Sequence, residues 1–413
     1  MQKASIVSIG NEILTGRTID TNAAYLSGKL LSIGIPVVSS YTIGDDIDLI
    51  VRALKLASDD ADIVLATGGL GPTDDDLTRQ AFAKFLGAEL QMENELLQKV
   101  QNFFIKRNLK MPEKNKIQAY IPVGAEALSN NLGTAPGIKA KVKTKLLIAM
   151  PGVPSEMTQM FEESVMPVLK SRISDQAIVQ IRLNCFGAGE SYIVENLGNL
   201  MQRGRNPQIN CTVHCGVVTL TILAEADTHS HAQQMAQKDE KLIREKLGKL
   251  IFSKGDKSLA EVVGRKLTER KKTLTVAESC TAGLLAKLVT DVPGSSNYFT
   301  AGWITYSNQA KISELKVGAE LIGEYGAVSQ QVAEAMAQGA RKKARADFAI
   351  AVTGIAGPSG GTKQKPVGLV YICVDSAQAA HTQRIILPGN RNAIRTRAAQ
   401  TALNILRLFL KKD

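Results

Sequence analysis

The chain has 413 residues, 44% of them apolar and 22% charged, with a net charge of +11. That length predicts two to four domains, each able to bury its own core, in an ordinary globular protein. No apolar run approaches the roughly 18 residues of a membrane span, and the opening residues do not read as a signal peptide, so the expectation is a cytoplasmic protein that is not held in a membrane.

Residues 1–170 alternate strand-like and helix-like segments. A strand at 5–9 precedes a helix at 23–31, a strand at 36–42 precedes a helix at 48–57, and further strands fall at 63–66 and 146–149. Such alternation predicts a largely parallel sheet covered on both faces, with binding loops at the carboxyl ends of the strands. The third strand runs into Thr67-Gly68-Gly69-Leu70-Gly71-Pro72-Thr73, where Gly68, Gly69 and Gly71 let backbone amides approach phosphates. Asp74, Asp75 and Asp76 follow. One carboxylate is expected to cap the next helix and the others to hold Mg²⁺ or a similar hard cation against a pyrophosphate. The alternative is simply a favourable acidic first turn. Glu12, Asp20 and Asn22 are further candidates for this site.

From 171 to 252 the pattern becomes a small α+β unit, with strands at 178–184 and 217–224 and a polar helix at 232–247. The five cysteines are scattered, which argues for reduced thiols. In Cys211-Thr-Val-His-Cys215 a strand would turn His214 away from both sulfurs, so zinc is not expected. Residues 252–258 have the composition of a linker.

From 259 to 413 the α/β alternation returns. An alternating run (Leu274, Val276) stops at Glu278-Ser279-Cys280-Thr281, and a helical pattern begins with Leu284, Leu285, Leu288 and Val289. Strand, hydroxyl-rich turn and helix point oxygens and free N–H groups at an anion. A strand at 299–306 delivers Tyr306 and Lys311, and one at 348–352 runs into Thr353-Gly354-Ile355-Ala356-Gly357. The chain has four histidines and none lies in a glycine-rich loop, which weighs against a Ser-His-Asp triad. Lys311 with Ser279 is the economical base and nucleophile, provided that burial or positive neighbours lower the lysine pKa. Tyr306 and Thr353 are suited to donate to an oxyanion or to relay protons. Cys280 lacks a histidine to activate it. The plainer alternative has Ser279 and Thr281 capping a helix while Tyr306 and Lys311 decorate a surface loop. Gly360-Gly361-Thr362-Lys363 has the wrong order and spacing for a Walker loop. Further on, Asn390 reads as an N-cap. Arg391 then stands in the first helical turn against the helix dipole, on one face with Arg395, a placement that makes sense if the pair grips a phosphate.

Val276-Ala-Glu-Ser-Cys-Thr-Ala-Gly283, Thr305-Tyr-Ser-Asn-Gln-Ala-Lys311, Ala351-Val-Thr-Gly-Ile-Ala-Gly-Pro358 and Lys365-Pro-Val-Gly368 resemble the C-terminal domain of the CinA family, a nicotinamide mononucleotide deamidase. The resemblance implies hydrolysis of nicotinamide mononucleotide to nicotinate mononucleotide and ammonia, a step of pyridine-nucleotide salvage, with no cofactor. It carries over Ser279 as nucleophile, Lys311 as base, and Tyr306, Thr353 and Arg391 as substrate contacts. Thr281, Gly354, Gly357 and Arg395 complete the expected substrate-binding set.

Gly10-Asn-Glu-Ile-Leu-Thr-Gly16, Asp20-Thr-Asn22, Gly68-Gly-Leu-Gly-Pro-Thr-Asp-Asp-Asp-Leu-Thr78, Ala135-Pro-Gly137 and Met150-Pro-Gly-Val-Pro-Ser-Glu156 extend the resemblance to the full-length family. This half also resembles molybdopterin-binding domains of the MogA and MoeA type. The resemblance implies a metal-dependent ADP-ribose pyrophosphatase, with a divalent cation such as Mg²⁺ at Asp75 and Asp76. The middle segment resembles the family's KH-like insert. Its Gly187-Ala188-Gly189 departs from the Gly-x-x-Gly clamp of RNA-binding KH domains, which points to dimerisation or domain packing and away from nucleic acid. The expected architecture is therefore a MogA-like three-layer α/β domain (1–170), a KH-like α+β domain (171–252) and a C-terminal α/β deamidase domain (259–413). The expected partners are small nucleotides, namely nicotinamide mononucleotide and ADP-ribose, and a second copy in a homodimer. The alternatives are a molybdopterin-type ligand-binding protein and a competence-related nucleic-acid accessory protein.

Overall fold

A computed structural model describes residues 2–172 and 177–410. The chain divides into two compact units, residues 1–180 with 224–236 and residues 181–223 with 237–413.

The first unit is built on a six-stranded sheet in the order Val37–Ile43, Ala4–Ile9, Ile63–Thr67, Lys145–Met150, Gly137–Val142, Glu126–Leu128. The first four strands are parallel and the last two antiparallel. Successive side chains leave opposite faces. Ile63 and Leu65 accordingly pack with Leu26, Leu30, Met157 and Met160 of the helices on one side. Val64 and Ala66 pack with Ile50, Leu54 and Phe82 of the helices on the other. Both faces are covered, which makes three layers.

The second unit carries a five-stranded sheet in the order Phe299–Ile304, Leu274–Glu278, Phe348–Gly354, Leu369–Ser376, Ala380–Ile386. The first three strands are parallel, so their carboxyl ends share one edge, and the last two are antiparallel. Leu274, Val276, Ile350 and Val352 pack against the helices Leu259–Glu269, Leu284–Thr290 and Arg391–Phe409. Ala277, Ala349 and Ala351 face the helix Gln330–Ala344.

A smaller sheet has the order Gln208–His214, Val217–Ala226, Ala177–Cys185, Ile251–Lys254. Its last strand corrects the linker expectation for 252–258. Ile251 pairs with Cys185 and Ser253 with Asn184, and the Asn184 amide donates to Ser253 Oγ at 2.9 Å and to the Gly255 carbonyl at 2.7 Å. Gly255 and Asp256 gave the segment its linker look, but they form only the turn. Ser258 then caps the next helix in a reciprocal box with Glu261. The strand expected at 299–306 ends at Ile304. Among the described residues, no helix is long and apolar enough to cross a membrane.

Candidate functional site

Strand Leu274–Glu278 lies between its two parallel neighbours, and Ser279 follows it directly, with its N–H donating to the Val352 carbonyl at 2.9 Å. The chain then reverses through Ala282 (φ 49°) and Gly283 (φ 91°) into helix Leu284–Thr290. An alanine in the left-handed region costs about 1–2 kcal/mol, so the surrounding structure must hold this turn in place.

Two groups hold it. Glu278, buried at the strand end, accepts from the N–H groups of Gly283 (3.0 Å), Leu285 (3.0 Å) and Ala286 (2.8 Å). Arg395 braces the turn from outside, its Nε donating to the Cys280 carbonyl at 3.1 Å and its Nη2 to the Thr281 carbonyl at 2.8 Å. Two expectations are corrected here. Ser279 and Thr281 do not cap the helix, because the Glu278 carboxylate already satisfies its first donors. Arg395 directs these donors to backbone carbonyls, so it does not form a phosphate grip together with Arg391. In this turn the N–H groups of Cys280 and Thr281, beside Ser279, donate to no backbone carbonyl, and that of Cys280 lies against its own thiol. Thr281 Oγ1 is buried and unpaired.

Lys311 sits in the first turn of helix Asn308–Leu315 and is buried, 1% exposed. Its Nζ lies 3.1 Å from Ser279 Oγ, 2.8 Å from the Thr305 carbonyl and 3.4 Å from the Tyr306 carbonyl. None of these partners is a carboxylate, and burial holds the amine below the ordinary lysine range. The same burial pushes the Cys280 thiol up to about 12, which leaves it without a thiolate near neutral pH.

Tyr306 is exposed, and its hydroxyl accepts from Arg391 Nη2 at 3.1 Å, while Arg391 Nη1 donates to the Gly357 carbonyl at 2.9 Å. Arg391, Tyr306 and Gly357 thus come together. Thr353 is buried and its hydroxyl donates to the Ala327 carbonyl at 2.8 Å, so it offers a lone pair rather than a proton. Gly354 closes strand Phe348–Gly354.

In the first unit a cleft of about 630 Å³ opens at the strand ends, lined by Glu12, Gly68, Gly69, Gly71, Asp75 and Asp76 among others. Gly68 has φ 108°, and a Cβ there would lie 2.1 Å from the Ile9 carbonyl, so only glycine fits. Asp20 and Asn22 serve the scaffold. Asp20 caps helix Thr21–Ser32 through the Ala23 N–H at 2.9 Å, and Asn22 ties Thr67 Oγ1 (2.9 Å) to the Gly152 carbonyl (2.8 Å).

The acidic run does not cap the following helix as expected, because that helix starts at Thr78, after Leu77, and has no side-chain cap. Asp76 instead closes a turn by accepting from Thr73 N (2.8 Å) and Oγ1 (2.5 Å), and Asp74 pairs with Lys114 at 3.0 Å. Burial, and then the carboxylates of Glu12, Asp75 and Asp76, hold Asp45 above its usual range despite the Asn11 N–H that it accepts. Among the described residues, no three His, Cys, Asp or Glu side chains converge as a metal cage. Asp75 and Asp76 are the carboxylates of the acidic run that line the cleft, and they are the residues that could hold a cation of the Mg²⁺ kind, which takes one or two carboxylates plus substrate phosphates.

Arg79 gave no signal in the sequence. It is fully buried, donates Nη2 to the Leu70 carbonyl at 2.9 Å and leaves Nε and Nη1 without partners, and burial pushes its guanidinium down to about 10. A positive charge therefore stands behind the glycine loop.

The chain matches three family descriptions: CinA C-terminal domain over residues 256–410, probable molybdopterin binding domain over 5–171, and damage-inducible protein CinA KH domain over 181–253. A putative competence-damage inducible protein of Caldicellulosiruptor bescii is 41% identical over 404 residues, 98% of each chain. A CinA-like protein of Kosmotoga olearia is 42% identical over 408 residues, 99% of each chain. Among solved structures, a competence/damage inducible protein from Agrobacterium tumefaciens is 41% identical and covers 37% of this chain and 93% of its own, with a TM-score of 0.36.

Proposed function

The chain belongs to the CinA family, and we propose that its second unit hydrolyses the carboxamide of nicotinamide mononucleotide to nicotinate mononucleotide and ammonia. The observation that carries this reading is the buried Lys311 amine, 3.1 Å from Ser279 Oγ and without a carboxylate partner. Ser279 Oγ attacks the amide carbon while Lys311 Nζ takes its proton. The N–H groups of Cys280 and Thr281 receive the charge that develops on the carbonyl oxygen. Collapse breaks the C–N bond, and ammonia leaves with the proton held by Lys311. Water then attacks the acyl-serine with Lys311 again as base, which releases the acid and restores Ser279. Arg391, with Tyr306, takes the 5′-phosphate. The reaction needs no cofactor. Chromatography of nicotinamide mononucleotide incubated with the purified chain tests it: nicotinate mononucleotide should form at the same rate with and without chelator.

A second activity, ADP-ribose cleavage in the first unit, is favoured by the cleft that joins Gly68, Gly69 and Gly71 to Asp75 and Asp76. A divalent cation held by Asp75 and Asp76 would offset pyrophosphate charge there. Asp75→Asn should lower the metal-dependent activity and leave deamidation untouched. ADP-ribose cleavage that persists in chelator would remove the metal role.

A further inference from the structure

The second unit contains a cavity of about 830 Å³ whose lining shares no residue with the Ser279 site. One wall is the edge strand Ala380–Ile386, where His381, Gln383 and Ile385 leave the same face. A second is the C-terminal helix, which presents Thr401, Asn404, Ile405 and Leu408 at helical spacing. The third comes from Phe186-Gly187 and Lys249-Leu250 of the smaller sheet's loops. The Gly187-Ala188-Gly189 segment, unsuited to an RNA clamp, takes φ 97° at Gly187 and brings that wall to the helix, where a Cβ on Gly187 would stand 3.7 Å from Asn404 Nδ2.

Arg407 lines this cavity and is 1% exposed. Its Nε and Nη2 donate to Asn404 Oδ1 at 3.0 and 2.8 Å, and Nη2 also to the Lys249 carbonyl at 2.8 Å. Every acceptor is neutral. No Asp or Glu is among the lining residues, whereas Lys249 and His381 are. A buried cation without a counter-charge is costly, and burial holds this guanidinium below its ordinary range. A purely structural strut between Asn404 and Lys249 would need the hydrogen bonds but not the charge. The remaining walls (Phe186, Leu250, Ile385, Leu387, Phe409) are apolar, and the volume falls within the roughly 300–1,000 Å³ of small-molecule sites.

We propose that this cavity is a second ligand site, separate from the Ser279 centre, for a small organic anion. A carboxylate or phosphate meets Arg407, and an apolar ring or chain fills the space between the edge strand and the helix. The site goes beyond the deamidase reading and does not depend on it.

The probe is 8-anilinonaphthalene-1-sulfonate, an aromatic anion, titrated into the full-length protein by fluorescence, beside the neutral N-phenyl-1-naphthylamine. The anionic probe should saturate at one per chain. Gln383→Trp, which fills the cavity from an exposed strand position, should abolish binding of both probes. Gln383→Glu places a carboxylate in the cavity with Arg407 and should weaken the anion about tenfold or more while changing the neutral probe less than about twofold. Arg407→Gln should do the same, and the two Gln383 variants decide the matter should Arg407→Gln fail to fold. Non-saturable binding, indifference to Gln383→Trp, or equal losses of both probes in Gln383→Glu would each overturn the proposal.

Discussion

Lys311→Met removes the proposed base and leaves an apolar chain of similar length in its place. Positioned proton transfer contributes typically about 10²–10⁴-fold, so deamidation should fall by that factor, equivalent to about 3–5 kcal/mol in the barrier. Stability should change far less, because the substitution removes a buried amine along with its bonds to Thr305 and Ser279. The pH profile is the sharper readout. The base is the neutral amine, and burial lowers its pKa below the ordinary value of about 10.4. Wild-type kcat/KM should therefore be low where Lys311 is protonated, rise as pH passes through the folded-state pKa and level off before the ordinary lysine range. Linkage gives a companion sign: between the folded and unfolded pKa values the unfolded chain binds more protons, so native stability rises with pH there, and Lys311→Met should lose that rise. Ammonia release across pH and denaturant titrations at matched pH measure both. A variant that keeps more than about a tenth of the activity, or the same rising limb, would refute the assignment.

Three further outcomes follow from the geometry. Glu278→Ala strips three N–H groups of their acceptor and should cost about 3 kcal/mol in denaturant unfolding, with deamidation lost even where the chain remains folded. Arg391→Ala should weaken nicotinamide mononucleotide by about 1.5–3 kcal/mol while sparing nicotinamide riboside, and equal losses in competition assays would detach Arg391 from the phosphate. Cys280→Ser should retain deamidation and resist no alkylating agent better than wild type, since the buried thiol sits at about 12; inactivation of wild type but not the variant by iodoacetamide would make the cysteine the nucleophile.

The sheet architecture was legible because each strand advertises itself locally: Ile63 to Thr67 or Leu274 to Glu278 are short apolar runs broken by polar turns. The meeting of Ser279 with Lys311 was legible too, since parallel strands deliver their carboxyl ends to one edge. What was hidden depends on distant partners. Strand Ile251–Lys254 looked like a linker because its pairing with Ala177–Cys185 leaves no trace in its own composition. Arg395 looked like half of a phosphate clamp because helical spacing shows which face it shares, not that two carbonyls more than a hundred residues away meet it there. Glu278 reads as the last residue of a strand, with Ser279 and Thr281 as the nearer cap candidates, and only the fold brings its carboxylate to the N–H groups of Gly283, Leu285 and Ala286. Arg79 and Arg407 defy the expectation that arginine stays in water, and only the folded chain reveals them.

The most direct measurement is ammonia release from nicotinamide mononucleotide by the purified chain in chelator, with Ser279→Ala alongside and its fold checked by circular dichroism. The serine–lysine mechanism requires one ammonia per nicotinate mononucleotide from the wild type and a loss of at least about a thousandfold in the variant. A folded Ser279→Ala that releases ammonia at the wild-type rate, or a wild type that releases none, would contradict it.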